Sequence, residues 1–335
     1  MGLPRALNIV PLRQAVGALL VGVGLSCPAP AVQVPDFVRG IGETAVQTPL
    51  AARSLLIDVK AVDGLAIAVG EYGHVLVSHD DGETWTQGDV PFRALLTAVA
   101  RTSENAWLAV GHDALILRSE DDGRTWETMY RDIDLDTPFF SVWAGPDGRA
   151  IAIGAYGLSR VSHDDGRTWS EEIIDEDESH LFGISEAPDG TLYVAGEFGV
   201  IYRYDAEDDE WLPLDSPYEG TLFDVLALES GALLVYGLRG NLFRSEDEGE
   251  TWERVQTDTN TGLFHGTQAP DGRVILVGQG GAVLVSDDDG RSFQDRGPDT
   301  LDLISAAALL PDGQLLTVGE QGVRRISIRE GARRP

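Results

Sequence analysis

Apolar runs that end in glycine recur along the chain, at Gly70, Gly111, Gly154, Gly196, Gly237, Gly278 and Gly319. Around each glycine the hydrophobic and polar positions follow one order. An apolar run and a turn are followed by a second apolar run, the glycine, a third run that alternates, an acidic turn and an aromatic. Residues 55–59, LLIDV, are apolar nearly throughout, whereas residues 74–80, HVLVSHD, alternate with the period of two expected of a strand. The first turn is PDG at residues 146–148, 188–190, 270–272 and 311–313, and VDG at 62–64. Proline presets φ there and glycine accepts φ > 0. The second turn is GEYG, GHDA, GAYG, GEFG, GLRG, GQGG or GEQG, short enough for a hairpin. Four strands in about 40 residues, repeated seven times, predict an all-β, seven-bladed β-propeller of four-stranded antiparallel blades.

The acidic turns carry a motif of their own: SHDDGETW ending at Trp85, SEDDGRTW at Trp126, SHDDGRTW at Trp169, YDAEDDEW at Trp211, SEDEGETW at Trp252 and SDDDGRSF at Phe293. Five of them match the Asp-box, or BNR, signature S-x-D-x-G-x-T-W. The fourth unit departs from it, with Ala206 at the aspartate position and Asp208 at the glycine position. Paired carboxylates invite a catalytic or calcium-binding reading. Five copies of one active site in a chain would be unusual, so a structural role is expected. In each box the aspartate accepts turn amides and the aromatic packs beneath the turn: Asp80 with Trp85, Asp121 with Trp126, Asp164 with Trp169, Asp247 with Trp252, and Asp288 with Phe293.

The seventh unit has three strands and then an Arg-rich tail, and setting Gly70 against Gly111 places Glu43 to Gln47 where a fourth strand stands elsewhere. That segment is expected to complete the last blade and remove an exposed edge. The domain reading is thus a signal peptide at 1–31, a lead at 32–42, the propeller at 43–328 and an Arg-rich tail at 329–335. Arg5 and Arg13 precede an apolar stretch at 15–25 that is too short to span a bilayer, and APA at 29–31 offers a cleavage site. Cleavage after Ala31 would export the domain, to the periplasm in a double-membraned cell, with no membrane insertion of its own. The rival is lipid attachment at Cys27. Fifty-five acidic residues against 25 basic give a net charge of -30, a field that repels nucleic acid and anionic headgroups. Lys60 is the one lysine in the chain.

The fuller consensus, VGEYGHVLVSHDDGETW and VGQGGAVLVSDDDGRSF, resembles that of the photosystem II assembly-factor-like propellers with BNR repeats over about residues 43–328. The resemblance implies an exported, non-catalytic, monomeric scaffold that binds a membrane-protein complex, without cofactor or metal. Photosynthetic members use a basic patch for their partner, and this acidic chain has no arginine cluster outside its tail. An envelope complex, such as a transporter of the resistance-nodulation-division type, is therefore the expected client.

In such a blade the glycine turns and the connections between units share one face, opposite the Asp-boxes. Side chains vary there while their positions repeat, as in a grafted site. Glu71, Tyr72, Arg93, His112, Tyr156, Glu197, Phe198, Arg239 and Glu320 are the candidate partner-binding residues. Phe140, Phe182, Phe223 and Phe264 stand at one unit position and are assigned to the blade core. His112 and His265 fall in separate units, so no metal centre is expected. The alternative function is a carbohydrate-active propeller, a sialidase-like hydrolase or a lectin. Two free carboxylates or an arginine cluster would mark the hydrolase, but Arg93 in PFRAL lacks the proline of the sialidase FRIP motif, and nothing singles out Glu71, Glu197 or Glu320.

Overall fold

The computed structural model describes residues 44–133 and 135–328. The proposed signal peptide, the lead, Cys27, Glu43 and the C-terminal tail lie outside the described residues. Twenty-seven strands form seven antiparallel sheets in chain order, six of four strands and a last one of three. The first sheet is typical: β1 (Leu56–Val62), β2 (Leu65–Gly70), β3 (Val75–Ser78) and β4 (Thr86–Gln87) pair consecutively as a meander. The innermost strands of the other sheets are β5 (Leu96–Arg101), β9 (Phe139–Ala144), β13 (Leu181–Glu186), β17 (Leu222–Ala227), β21 (Leu263–Gln268) and β25 (Ile304–Leu309). Each packs against the next, and β25 packs against β1, so the ring is closed.

The core is divided among the seams. Seven apolar clusters each lie between two adjacent blades; one joins Trp107, Leu115 and Leu117 to Ile67, Val69 and Val77, and another joins Leu316 and Val318 of the last blade to Leu56, Ala68 and Leu76 of the first. Burying both faces of every blade except the outermost strand explains why the second strands are continuous apolar runs.

The repeat glycines are required by space. Gly278 has a φ of -175°, extended backbone that any residue adopts. A Cβ built on it would lie 2.1 Å from the Gly262 carbonyl oxygen, and the seven repeat glycines all meet the carbonyl entering the inner strand at 2.0–2.4 Å. In six of the blades that same carbonyl accepts the N–H just past the glycine, as in Glu71 to Leu55 at 3.0 Å and Gln279 to Gly262 at 2.9 Å.

The Asp-boxes are self-contained knots. Asp164 accepts Ser162 Oγ at 2.8 Å and the Thr168 amide at 2.8 Å on one oxygen, and Thr168 Oγ1 at 2.7 Å on the other. Ser162 Oγ accepts the Gly166 amide, and Trp169 Nε1 donates to the Gly166 carbonyl. The knot docks on its predecessor, because Gly166 sits over Leu108 of the second blade just as Gly123 sits over Ile67 of the first.

The N-terminal segment goes elsewhere than expected. The Ala45 amide donates to the Val90 carbonyl and the Val46 amide to the Tyr72 carbonyl, both at 3.1 Å. Gln87 Nε2 donates to the Val46 carbonyl at 2.6 Å and Gln47 Nε2 to the Gly88 carbonyl at 3.0 Å. The segment is thus bound to the first blade, where Ala45 is buried beside Gly73. Among the described residues the seventh blade keeps three strands, β25, β26 (Leu315–Gly319) and β27 (Arg324–Ile326). It is tied to the first blade by the Val323 amide on the Ala52 carbonyl and by Arg325 on Glu83 at 3.1 Å.

Two expectations follow for stability. Gly278→Ala should lower the urea midpoint by the equivalent of about 1–3 kcal/mol, because its methyl group meets fixed backbone. Gly272→Ala, at a left-handed turn position with open space around it, should cost about 1 kcal/mol. The second concerns pH. Hydrogen bonds from Thr84 and Ser78 hold Asp80 down to about 2, and bonds from Thr168 and Ser162 hold Asp164 at about 2 against the upward push of burial. A carboxyl depressed in the folded state stabilises the fold when ionised; that contribution is complete above the ordinary value of 3.8 and is lost as pH falls toward 2. Urea midpoints should therefore decline below pH about 4, and Asp164→Asn should make the decline shallower.

Candidate functional site

The glycine turns face the connections to the following blade. The Gly73 amide donates to the Ala94 carbonyl at 2.7 Å and the Gly157 amide to the Ser179 carbonyl at 2.8 Å. Turn and connection therefore form one rim around the opening of the ring.

At that rim every inner strand carries a β-bulge at the same place. Pairing skips one residue after the first of each strand: Ile57, Thr97, Phe140, Phe182, Phe223, Phe264 and Ser305. A bulge re-aims a side chain, and these seven line a central channel of about 660 Å³. The four phenylalanines are half-buried and lie in neighbouring blades; Phe140 stacks on Phe182 at 5.0 Å, Phe182 meets Phe223 edge-on at 5.7 Å, and Phe223 lies 5.2 Å from Phe264. Their assignment to the blade core is thus corrected. The core position belongs to the preceding residue, which is fully buried at Phe139, Leu181, Leu222 and Leu263.

The aromatic surface continues onto the rim. His180 lies 6.1 Å from Phe140 and 6.2 Å from Phe182, and the Tyr156 ring meets it edge-on at 4.6 Å. His180 Nδ1 accepts the Tyr156 amide at 2.9 Å, and Glu197 stands 3.8 Å from its Nε2. A track therefore runs from exposed Tyr156 to the channel mouth.

Deeper in the channel the polar groups are mostly engaged. Asp58 accepts the Val59 and Val99 amides at 2.8 and 2.9 Å, which staples the first two blades together. Asp224 accepts the Val225 amide at 2.9 Å and the Tyr236 hydroxyl at 2.7 Å. Burial pushes its carboxyl up to about 7, against the pull of the Tyr236 bond and of Lys60. His265 is held down to about 4 by burial and then by Lys60, so its ring is neutral.

Over residues 44–322 the sequence matches the family model described as photosynthesis system II assembly factor YCF48. The chain belongs to the YCF48 family. No curated protein matches its sequence. Among solved structures, a YCF48 bound to D1 peptide shares 20% identity at a TM-score of 0.67, covering 85% of this chain and 94% of that one. The YCF48 of Cyanidioschyzon merolae shares 16% at 0.66, covering 85% and 98%. A streptogramin B lyase shares 15% at 0.72, covering 86% and 97%. At these identities the likenesses show the fold.

On this YCF48-family propeller the nine candidate residues divide. Tyr72 and Arg93 come together, the guanidinium 5.1 Å from the ring centre. Tyr156 and Glu197 meet through His180, and Phe198 projects from the next turn, 70% exposed. Glu71 and Glu320 each accept a backbone amide at 3.1 Å, from Leu55 and Leu303 respectively. His112 and Arg239 stand exposed on their own turns and are not drawn toward the others.

Sequence reasoning missed the phenylalanine arc. The signal was present in the paired aromatics and leucines at the start of each inner strand, because two consecutive large apolar residues break strict alternation and mark a bulge.

Tyr72, Tyr156 and Phe198 also share a backbone conformation, with φ of 57°, 54° and 56°, where the sixth blade has Gly280. A left-handed aromatic costs about 1 kcal/mol or more. Phe198→Gly should accordingly match or exceed the wild type in urea stability by about 1 kcal/mol, and Phe198→Ala, which keeps the Cβ, should not.

Proposed function

We propose that this propeller is a non-catalytic, exported assembly factor whose glycine-turn rim holds an exposed segment of a membrane-protein complex in the cell envelope. The observation that carries this reading is the trio Tyr72, Tyr156 and Phe198. Each is held in a strained left-handed turn while its side chain faces solvent, at 46%, 66% and 70% exposure. Strain retained at a surface where glycine would serve is characteristic of ligand clamps, and exposed aromatics are the side chains that anchor protein segments.

Family membership supports the same reading, and a relative of the same fold is known bound to a D1 peptide. A binding role also fits the carboxylates. A glycosidase needs two free acids flanking its substrate, whereas Glu71 and Glu320 are each engaged by a backbone amide. The export signal read from the first 31 residues would put the rim on the outer side of the inner membrane, and a transporter of the resistance-nodulation-division type is one client of that kind.

A photo-crosslinking amino acid tests the reading in cells. Placed at Phe198 it should capture an integral membrane protein, and placed at Asp122, exposed on the Asp-box face, it should not. Capture of the same proteins from both positions, or of no membrane protein from Phe198, would refute the assignment.

A further inference from the structure

The Lys60 ammonium and His265 Nδ1, both of channel-lining residues, have no hydrogen-bond partner among the described residues. Lys60 crosses from the first blade toward the fifth and sixth, close enough to act electrostatically on Asp224 and His265. Among the described residues no hydrogen bond or ion pair within 4 Å holds its ammonium group. His265 Nδ1 is buried without a hydrogen-bond partner. The Lys60 ammonium is left open to a mainly apolar channel, where it can receive an anion.

The other ionisable groups around them are hydrogen-bonded. The Asp58 carboxylate is closed by two backbone amides and Asp224 by an amide and a hydroxyl. Arg101, at the far end of the channel, is held by Asp63 and Asn105. Thr97 Oγ1 donates to backbone carbonyls, and Ser185 Oγ accepts the Ala227 amide. Lys60 is therefore the one cation of the lining left without a bound anion.

The wall is also lopsided. Phenylalanines occupy the bulge position in four consecutive blades, while Ile57, Thr97 and Ser305 occupy it in the other three. Lys60 belongs to the smooth side and reaches toward the aromatic one. A volume of about 660 Å³ with a mainly apolar lining and few convergent polar groups is that of a small-molecule pocket.

We propose that the central channel binds a small aromatic anion, its ring against the arc of Phe140, Phe182, Phe223 and Phe264 and its acidic group on Lys60. The ring gains edge and face contacts from the arc, and the anion gains a charge-assisted bond in a site with little competing water. This site lies inside the ring and is independent of the partner on the rim; each can fail without the other.

The test uses a matched pair of fluorescent probes on the full folded chain. Anilinonaphthalene sulfonate is an aromatic anion, and phenylnaphthylamine is the same ring system without the charge. The sulfonate should saturate one site per chain. Lys60→Met should weaken it about tenfold or more while changing the neutral probe less than about twofold. Phe223→Ala should weaken both probes by about threefold to tenfold, with Phe264→Leu as the substitute if the first variant unfolds on heating at a markedly lower temperature. Sulfonate affinity indifferent to Lys60→Met, several equivalent sites that persist in every variant, or no binding at all would overturn the proposal.

Discussion

One carbonyl oxygen in each blade decides most of what this molecule is. It lies where the connecting segment enters the inner strand, and it approaches the repeat glycine so closely that no side chain fits between them. In the first six blades it accepts the amide of the following residue, which locks the entry of the inner strand to the hairpin turn of its neighbour. Repeated around the ring, this contact sets the height at which every blade meets the opening. The bulge directly after it follows from the same geometry, since one residue must be skipped for pairing to resume. The channel lining therefore includes, from every blade, one residue that takes no part in the ladder and is free to vary.

The two faces of the ring are built on opposite principles. On one, the Asp-boxes close their own hydrogen bonds with ionised carboxylates and dock on the preceding blade. On the other, turns hold aromatic side chains in costly conformations and present them to solvent. A scaffold that is stiff on one side can carry strain on the other, which is the usual division between frame and recognition surface.

Fold class and blade number could be read from the chain because both rest on local features that repeat: glycine, turn residues, alternation and the acidic motif. The course of residues 45–47 could not be read in the same way. Their alignment with an outer strand is a pattern, while their bonding to Val90 and Tyr72 depends on a niche beside Gly73 that only the assembled first blade creates. The site was half legible. The variable positions of Tyr156 and Phe198 placed them on the turns, where the fold leaves both exposed. Phe223 and its neighbours were hidden by their regularity, because a residue repeated at one position looks like core until the bulge shows which way it points. Glu71 and Glu320 look like free acids in sequence, whereas in the fold each accepts a backbone amide.

The three-stranded last blade has a consequence for behaviour in a crowded compartment. Among the described residues β27 pairs only with β26, so its outer edge offers unpaired backbone groups of the kind that recruit strands from other molecules. Arg324 and Arg325 stand on that strand, committed to Asp302, Asp312 and Glu83. A foreign strand could dock there only by stripping charged side chains from their counter-ions. Among the described residues that margin is thus guarded by paired charges.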